Sequence, residues 1–444
     1  MAARFGPRRL SSFQIIIIGF AGVILLGGLI LTLPIASQAR VWTSFGDALF
    51  TSTSAVCVTG LVVQDTATYW SAFGQGIILV MIQIGGIGVI AVAVFVASIS
   101  GKKLSLMQRS TLQDSISAHQ IGGVVHMTGF IIRVVFITEL AGAIVLMPTF
   151  CKNYGIAGVW MSVFHSISAF CNAGFDLMGS RTGQYSSLTG MAGNPGVVIP
   201  ITLLIILGGI GFLTWADVKE HKLHFKRYRM QSKVVLVTTA LLIFLPMLWL
   251  FFGEYSGESL GDRLCLSLFQ AVTPRTAGFN TSDLAALSGV GQMLIIFLML
   301  IGGSPGSTAG GMKTTTIAVL FANATQVFRR RKNAQMFGRR IDDGTVKTAS
   351  TILVMYLFLA LFGASVISAV ENIPLSRCIF ETGSAVATVG LSLGLTPTLG
   401  FVSRAILMFL MFFGRVGGLT IIYAALSTKT AEVSKCPEEK ITVG

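Results

Sequence analysis

Charged side chains are scarce in this 444-residue sequence. Asp, Glu, Lys and Arg together make up 11 % of the residues, whereas soluble domains average about 25 %. Hydrophobic residues reach 53 %. Such a low charge content excludes an ordinary soluble domain and predicts an all-α polytopic membrane protein.

Cysteine and histidine are also few, with six and five residues. The cysteines show neither a metal-binding spacing nor a paired framework, so we interpret them as packing residues. The histidines form no constellation with acidic residues or cysteines. A membrane enzyme would need a nucleophile with its base, paired aspartates or a metal set. The sequence offers none of these, and we expect no enzyme and no organic cofactor.

Long hydrophobic runs, by contrast, are frequent. A helix needs about 20 residues to cross a bilayer core of about 30 Å, and eight runs are long enough. One of them, 287–328, is interrupted by a glycine-rich segment. The seven continuous runs are 13–33, 74–98, 124–147, 196–216, 234–252, 348–370 and 401–426.

The net charge of +14 follows the predicted topology. If the N-terminus is cytoplasmic and eight spans alternate, internal segments contain 22 of the 32 lysines and arginines, and external segments contain six. This bias obeys the positive-inside rule. We therefore predict a multi-pass protein of the plasma membrane with both termini in the cytoplasm. The basic run 329–332 is interpreted as an internal anchor or subunit contact, not as a nucleic-acid site.

Four short segments share one pattern, a Ser/Thr-rich stretch that ends in glycine between apolar residues. The glycines Gly60, Gly174, Gly278 and Gly390 are 114, 104 and 112 residues apart. Each follows a stretch that is helical in character but too short to cross the bilayer. These predicted short helices are 45–55, 159–169, 262–272 and 376–385.

The matched offsets predict four repeats around one central pore. Each repeat would contain a transmembrane helix, a re-entrant pore helix, a loop and a second transmembrane helix, with the irregular loop buried in protein. The third repeat would have a broken second helix. The predicted divisions are 1–110, 111–225, 226–340, 341–430 and a cytoplasmic tail at 431–444.

The four glycine-ended segments contain no carboxylate. Rings of backbone carbonyls can replace the water of a dehydrated monovalent cation, and glycine permits the backbone that turns them inward. We therefore predict a filter for a monovalent cation, and this argument does not choose between K⁺ and Na⁺. The predicted filter residues are Val58, Thr59, Gly60, Asn172, Ala173, Gly174, Thr276, Ala277, Gly278, Thr388, Val389 and Gly390.

The glycine-rich interruption of the run 287–328 predicts a gate below the filter. One proline and five glycines between 302 and 311 break helical hydrogen bonding; the alternative is a packing kink. Arg415 lies mid-span, where a charge must face the interior and be partnered. We expect it to contact this loop and oppose cations, and the alternative is a purely structural bond to exposed carbonyls. The predicted gate residues are Gly302, Gly303, Ser304, Pro305, Gly306, Ser307, Thr308, Ala309, Gly310, Gly311, Lys313 and Arg415.

Two further functions compete with cation transport. Ammonium and water channels use hydrophobic or His-lined pores and usually two inverted halves, so four repeats of one orientation disfavour them. A non-transporting scaffold would not need four glycine-ended loops. The sequence also has no nucleotide-binding Gly-x-Gly-x-x-Gly after a strand, so any nucleotide control would come from a partner.

These features resemble the Trk/Ktr/HKT superfamily of potassium transporters over residues 13–426, most closely the bacterial KtrB-type translocating subunit. The most specific element is Gly-Gly-Ser-Pro-Gly-Ser-Thr-Ala-Gly-Gly-Met-Lys-Thr-Thr-Thr at 302–316. In that family, glycine in all four filter loops implies K⁺ as the transported ion. The resemblance also implies an intramembrane gate loop, a homodimer with one pore per protomer, and a cytosolic ring of KtrA-like, RCK-type nucleotide-binding subunits. It leaves Na⁺-coupled symport and passive conduction both open.

Overall fold

The computed structural model describes residues 11–99, 111–113 and 124–425. The N-terminal arginines, most of the predicted internal loop 101–123 and the predicted tail 431–444 lie outside these ranges. Within them, sixteen helices of eight residues or more carry the fold. A long helix, a short helix and two half-helices follow one another in this order four times.

The first two units comprise helices α1 to α8. The first contains α1 (Ser12–Thr32), α2 (Phe45–Val56), α3 (Ala72–Ile87) and α4 (Val89–Ile99). The second contains α5 (Val124–Tyr154), α6 (Ala157–Phe170), α7 (Pro195–Gly209) and α8 (Phe212–His221).

The last two units comprise helices α9 to α16. The third contains α9 (Met230–Phe252), α10 (Leu260–Val272), α11 (Gly289–Leu300) and α12 (Thr314–Phe328). The fourth contains α13 (Asp343–Glu371), α14 (Leu375–Val386), α15 (Phe401–Val416) and α16 (Gly418–Ala425). Between α12 and α13, the strands β1 (Gln335–Met336) and β2 (Arg339–Arg340) form a small antiparallel hairpin with Gln335 opposite Arg340.

The long helices have the length and composition of membrane spans. In the described part of the chain, α1, Met127–Tyr154 of α5, α9 and α13 are each long and apolar enough to cross a bilayer. The pairs α7–α8 and α15–α16 meet the same criterion as bent spans. Large apolar side chains on these helices, such as Leu26, Leu245 and Phe358, are exposed, as expected where lipid replaces water. The predicted all-α polytopic membrane fold is confirmed.

The short helices match the prediction to within two residues at each end. A serine N-cap starts two of them, because Ser44 Oγ accepts a hydrogen bond from Asp47 N at 3.2 Å and Ser259 Oγ accepts one from Asp262 N at 3.3 Å. Each short helix buries a phenylalanine nine or ten residues before the glycine of its segment. These phenylalanines are Phe50, Phe164, Phe269 and Phe380.

The second span of every unit is broken, whereas the sequence predicted a break in the third unit alone. The predicted span 74–98 breaks at Gly88, 196–216 breaks at Gly211 and 401–426 breaks at Gly417. These glycines have φ angles of 98°, 87° and 91°, in the left-handed region that glycine adopts without steric cost. The halves of the second and fourth units meet at 95° and 91°. Hydropathy does not register a change of direction, so the pattern predicted continuous spans.

A partly buried ion pair joins the first and fourth units. Arg404 Nη1 on α15 lies 2.7 Å from Asp47 Oδ1 on α2, and Arg404 Nη2 donates to the carbonyl of Pro397 at 3.0 Å. The two side chains are 26 % and 20 % exposed. This ion pair therefore connects helices of two units that are far apart in the sequence.

We predict that Arg404→Met destabilises the protein by leaving Asp47 without its cation. The expected loss is about 1–3 kcal/mol, between the values for exposed and buried pairs. The measurement is the thermal midpoint of the purified full-length protein in detergent. Arg340→Met is the matched control, because Arg340 pairs with Asp343 while both side chains are exposed and should change the midpoint little. Equal effects of the two substitutions would contradict the prediction.

Candidate ion-conducting site

The four glycine-ended segments form a closed ring in chain order. A β-carbon at Gly60 would lie 2.5 Å from the carbonyl oxygen of Ala173, and one at Gly174 would lie 2.7 Å from that of Ala277. A β-carbon at Gly278 would lie 2.2 Å from the carbonyl oxygen of Val389. The ring closes with Gly390, where the distance to the carbonyl oxygen of Thr59 would be 2.1 Å. At all four positions only a hydrogen fits between one segment and the next.

The backbone of each segment alternates into the left-handed region. The first residues, Val58, Asn172, Thr276 and Thr388, have φ angles of 56°, 58°, 69° and 53°. The glycines that end the segments have φ angles of 92°, 69°, 78° and 95°. Left-handed backbone is costly for residues with a β-carbon, so the first residue of each segment is strained and must be held by its surroundings.

Hydroxyl groups at the ends of the short helices hold the segments. Ser54 Oγ accepts a hydrogen bond from Gly60 N, and Ser384 Oγ accepts one from Gly390 N, both at 3.0 Å. Ser168 Oγ donates to the carbonyl of Phe175 at 2.7 Å, and Thr273 Oγ1 donates to that of Phe279 at 2.6 Å. Thr273 therefore takes the place of the serine that the third unit lacks.

Three buried threonine hydroxyls of the ring find no hydrogen-bond partner within the described part of the chain. They belong to Thr59, Thr276 and Thr388. A buried hydroxyl without a partner is destabilising by itself, and oxygen is the ligand type that alkali cations prefer. The three hydroxyl oxygens have the chemistry to coordinate a dehydrated alkali cation.

A cavity of about 180 Å³ borders the ring. All four filter glycines line it, so the four segments meet at one place. Its other walls carry the carboxylates of Asp65 and Asp176, which follow the first and second segments. Burial raises the pKa of Asp176 to about 7, and the nearby Asp65 also raises it.

Glycines in the second helices let the short helices approach closely. A β-carbon at Gly85 would lie 2.1 Å from the carbonyl oxygen of Val56, the last residue of α2. A β-carbon at Gly208 would lie 1.9 Å from the carbonyl oxygen of Phe170, and one at Gly414 would lie 2.1 Å from that of Val386. These three glycines therefore occupy points where the backbone of a second helix contacts the end of a short helix.

The loop between α11 and α12 lies below the ring and is attached to the second unit. Ser304 N donates to the carbonyl of Gly209 at 2.9 Å, and Phe212 N donates to that of Gly306 at 2.7 Å. Thr308 Oγ1 donates to the carbonyl of Phe170 at 2.9 Å, and the Asn172 amide lies 3.3 Å from the same hydroxyl oxygen. The loop also contacts the fourth unit, since a β-carbon at Gly310 would lie 2.0 Å from Thr388 Oγ1.

Two cationic side chains donate to carbonyls of this loop. Lys313 Nζ lies 2.8 Å from the carbonyl oxygen of Ala309. Arg415 donates through Nη1 to the carbonyl of Thr308 and through Nη2 to the carbonyls of Gly85 and Gly86, the latter at 3.2 Å. The three ion pairs found among the described residues include neither cation. In the described ranges, neither of these two basic side chains has a carboxylate within salt-bridge distance.

Arg415 combines both arrangements considered from the sequence. It contacts the loop 302–311, as predicted, and it also bonds exposed carbonyls of a broken helix. That helix is the one of the first unit, which hydropathy did not predict to be broken. The attachment of Thr308 to Phe170 was missed as well, because nothing in either local sequence indicates that two segments so far apart in the chain meet.

The comparisons with known proteins identify the chain. The family profile described as "TrkH: Cation transport protein" matches residues 11–433. The chain is 39 % identical to the potassium/sodium uptake protein NtpJ of Enterococcus hirae, with 98 % of each chain covered. It is 37 % identical to Ktr system potassium uptake protein B of Bacillus subtilis, covering 97 % of this chain and 96 % of the relative.

A solved structure shares the fold. The crystal structure of the potassium transporter TrkH from Vibrio parahaemolyticus has a TM-score of 0.73 and 19 % sequence identity, covering 97 % of this chain and 87 % of that one. The predicted superfamily and the predicted absence of enzymatic function are confirmed. The chain belongs to the TrkH cation transport family, is KtrB-like within the Trk/Ktr superfamily, and is a multi-pass membrane transporter and not an enzyme.

Proposed function

We propose that this protein takes up K⁺ across the plasma membrane through a filter of backbone carbonyls from its four units. The observation that carries the proposal is the closed ring, in which each filter glycine abuts a carbonyl oxygen of the next segment. Such a ring can replace the hydration shell of a monovalent cation. The names of two relatives, a potassium/sodium uptake protein and a potassium uptake protein, support K⁺ as the substrate.

The twelve predicted filter residues divide this task between backbone and side chains. Carbonyls of the four segments would coordinate the ion, and the unpartnered hydroxyls of Thr59, Thr276 and Thr388 would add oxygens. No metal ion is required as a resident cofactor, since K⁺ is the cargo. The divisions near residues 110, 225 and 340 would then separate four quarters of one pore.

The loop 302–311 with Lys313 and Arg415 would act as the gate. It lies under the ring and contacts the second and fourth units. The two positive charges beside it would oppose a cation in the low dielectric of the membrane interior. Opening would require the loop to leave its bonds with Gly209 and Phe170, which gives the gate a defined closed position.

We further propose a homodimer with one pore in each protomer, controlled by a cytosolic RCK-type nucleotide-binding subunit like KtrA. Two relatives are named as proteins of a Ktr system, which supports a second component. With both termini in the cytoplasm, the exposed basic residues at 329–332 would face that partner. The name of the Enterococcus hirae relative supports a role for Na⁺ as well, either as a coupled ion or as a second substrate.

The full chain reconstituted in proteoliposomes tests the transport proposal. We expect uptake of the K⁺ tracer ⁸⁶Rb⁺ that Na⁺ or ammonium competes with only weakly. In cells that lack their own K⁺ uptake systems, expression should restore growth in low K⁺, and adding Na⁺ shows whether uptake depends on it. Absence of both tracer uptake and rescue, with the protein correctly inserted, would refute the proposal.

We predict that Gly60→Ser lowers discrimination between K⁺ and Na⁺. A β-carbon there would meet the carbonyl oxygen of Ala173 at 2.5 Å in a left-handed backbone, so this part of the ring must move. The expected fall in the ⁸⁶Rb⁺/Na⁺ flux ratio is about tenfold, which equals ~1.4 kcal/mol.

The matched control for this variant is Gly46→Ser, at a glycine of α2 with open space around its α-carbon. It should leave the flux ratio at the wild-type value. An unchanged ratio for Gly60→Ser in correctly folded protein would count against the filter assignment.

We predict that Arg415→Ala raises ion flux and that Arg415→Lys does not. Alanine removes the positive charge beside the loop, whereas lysine retains it but cannot bridge the carbonyls of Thr308 and Gly86 at the same time. If the charge forms the barrier, each ~1.4 kcal/mol removed from it raises the ⁸⁶Rb⁺ flux about tenfold. Equal flux increases for both variants would show that bridging, and not charge, keeps the gate closed. A wild-type rate for Arg415→Ala would reject the gate role altogether.

A further inference from the structure

One position on each short helix is equivalent in all four units. It is the residue that follows the buried phenylalanine, and it precedes the filter glycine by nine residues in three units and by eight in the third. All four side chains at this position are polar, and all are at most 1 % exposed. They are Thr51, His165, Gln270 and Glu381.

In the fourth unit this side chain holds the segment that leaves the ring. Glu381 Oε1 accepts hydrogen bonds from Leu393 N at 3.0 Å and from Ser392 Oγ at 2.5 Å. Glu381 Oε2 accepts a third from Thr396 Oγ1 at 2.7 Å. Hydrogen bonds to a carboxylate are about twice as strong as neutral ones, so this is a firm three-point attachment.

In the second unit the equivalent side chain makes the equivalent bond. His165 Nε2 accepts a hydrogen bond from Leu177 N at 3.4 Å. Leu177 and Leu393 each lie three residues after their filter glycine. His165 Nδ1 lies 2.7 Å from the carbonyl oxygen of Met161, so Nδ1 carries the proton and Nε2 is free to accept.

The first and third units lack this attachment. Thr51 Oγ1 donates back to the carbonyl of Asp47 on its own helix at 2.9 Å. Both amide atoms of Gln270 are without a hydrogen-bond partner among the residues that the structure describes. Because the ring runs in chain order, the second and fourth units face each other across it. This position on the short helix therefore attaches the outgoing segment on two opposite sides of the ring. In the first unit the outgoing segment is held instead by Tyr185, whose hydroxyl donates to the carbonyl of Val63 at 3.2 Å, and in the third by Ser187, whose Oγ accepts from Asn280 N at 3.0 Å.

We propose that Glu381 and His165 are positioning residues that hold the outer ends of two opposite filter segments and thereby set the K⁺/Na⁺ discrimination of the ring. The inference rests on the proposed function, since it takes the ring to be the filter. Neither side chain contacts the ion; each acts through the backbone three residues beyond a filter glycine. When an end is released, the carbonyls of that segment can close around the smaller Na⁺, which a fixed ring would bind less well.

Glu381→Ala and Glu381→Gln separate position from charge. Glutamine retains Oε1 for Leu393 N, and the Thr396 hydroxyl can turn to accept from the new amide, so the attachment survives without the charge. We expect the ⁸⁶Rb⁺/Na⁺ flux ratio of the full chain in proteoliposomes to fall about tenfold in Glu381→Ala, as for the loss of a charge-assisted hydrogen bond. Glu381→Gln should stay within about twofold of wild type. A glutamine variant that behaves like alanine would overturn the inference, because charge alone would then explain the effect.

Matched controls come from the two units without the attachment. Thr51→Val and Gln270→Leu alter the same buried position and should leave the flux ratio unchanged. A fall in these controls as large as that in Glu381→Ala would overturn the inference, since any change at this helix position would then suffice. His165→Leu should lower the ratio in the same direction as Glu381→Ala, and an unchanged ratio would remove His165 from the proposal.

Two further variants keep the outcome unambiguous. If Glu381→Ala does not fold, Thr396→Val removes one donor while the carboxylate stays, and it should lower the ratio about twofold to fourfold. Gly60→Ser, measured in the same vesicles, reports on the filter itself. A response to Gly60→Ser without any response to Glu381→Ala or Thr396→Val refutes the positioning role alone. No response to any of them refutes the filter.

Discussion

The contact on which the rest of the structure depends is the approach of one backbone to the next at Gly60, Gly174, Gly278 and Gly390, the glycines of the proposed filter. A single β-carbon at any of them would lie 2.1–2.7 Å from a neighbouring carbonyl oxygen. Carbonyl oxygens repel one another, and a ring of them is stable only when it is held from outside and neutralised by a cation. The short helices, their buried phenylalanines and the hydroxyls of Ser54, Ser168, Thr273 and Ser384 supply that external support.

The same constraint explains why the second helices bend. Each must pass so close below a short helix that Gly85, Gly208 and Gly414 contact the terminal carbonyls of Val56, Phe170 and Val386. Just beyond these contacts the helices turn at Gly88, Gly211 and Gly417. The turns free carbonyls that a bilayer could not satisfy. In the first unit Arg415 bonds to Gly85 and Gly86, and in the second the loop 302–311 bonds to Gly208 and Gly209. The Arg415 side chain and the loop 302–311 thus satisfy backbone carbonyls that the breaks in these helices leave free.

The four units are alike in the ring and unlike around it. Below the ring, the third unit contributes the loop 302–311, which is hydrogen-bonded to the second unit. On the short helices, Glu381 and His165 fasten two opposite segments, whereas Thr51 and Gln270 do not. At this helix position the fourfold arrangement of backbone is therefore supported by side chains with a lower, twofold pattern. This difference gives a single chain freedom that four identical subunits would lack, because each quarter can be adjusted separately.

The sequence alone determined the membrane class, the four short helices and the four glycines that meet in the ring, because hydropathy and glycine spacing are local properties that the chain displays directly. It also indicated that Arg415 must face the protein interior, since exposing a charge to lipid in the middle of a span costs too much free energy. The bends at Gly88, Gly211 and Gly417 were not predictable, because apolar composition is the same in a straight and in a bent helix. The partners of Thr308, Glu381 and Arg415 were decided only by the tertiary structure. Those contacts join backbone groups from distant parts of the chain, and a backbone carbonyl carries no signature in the sequence.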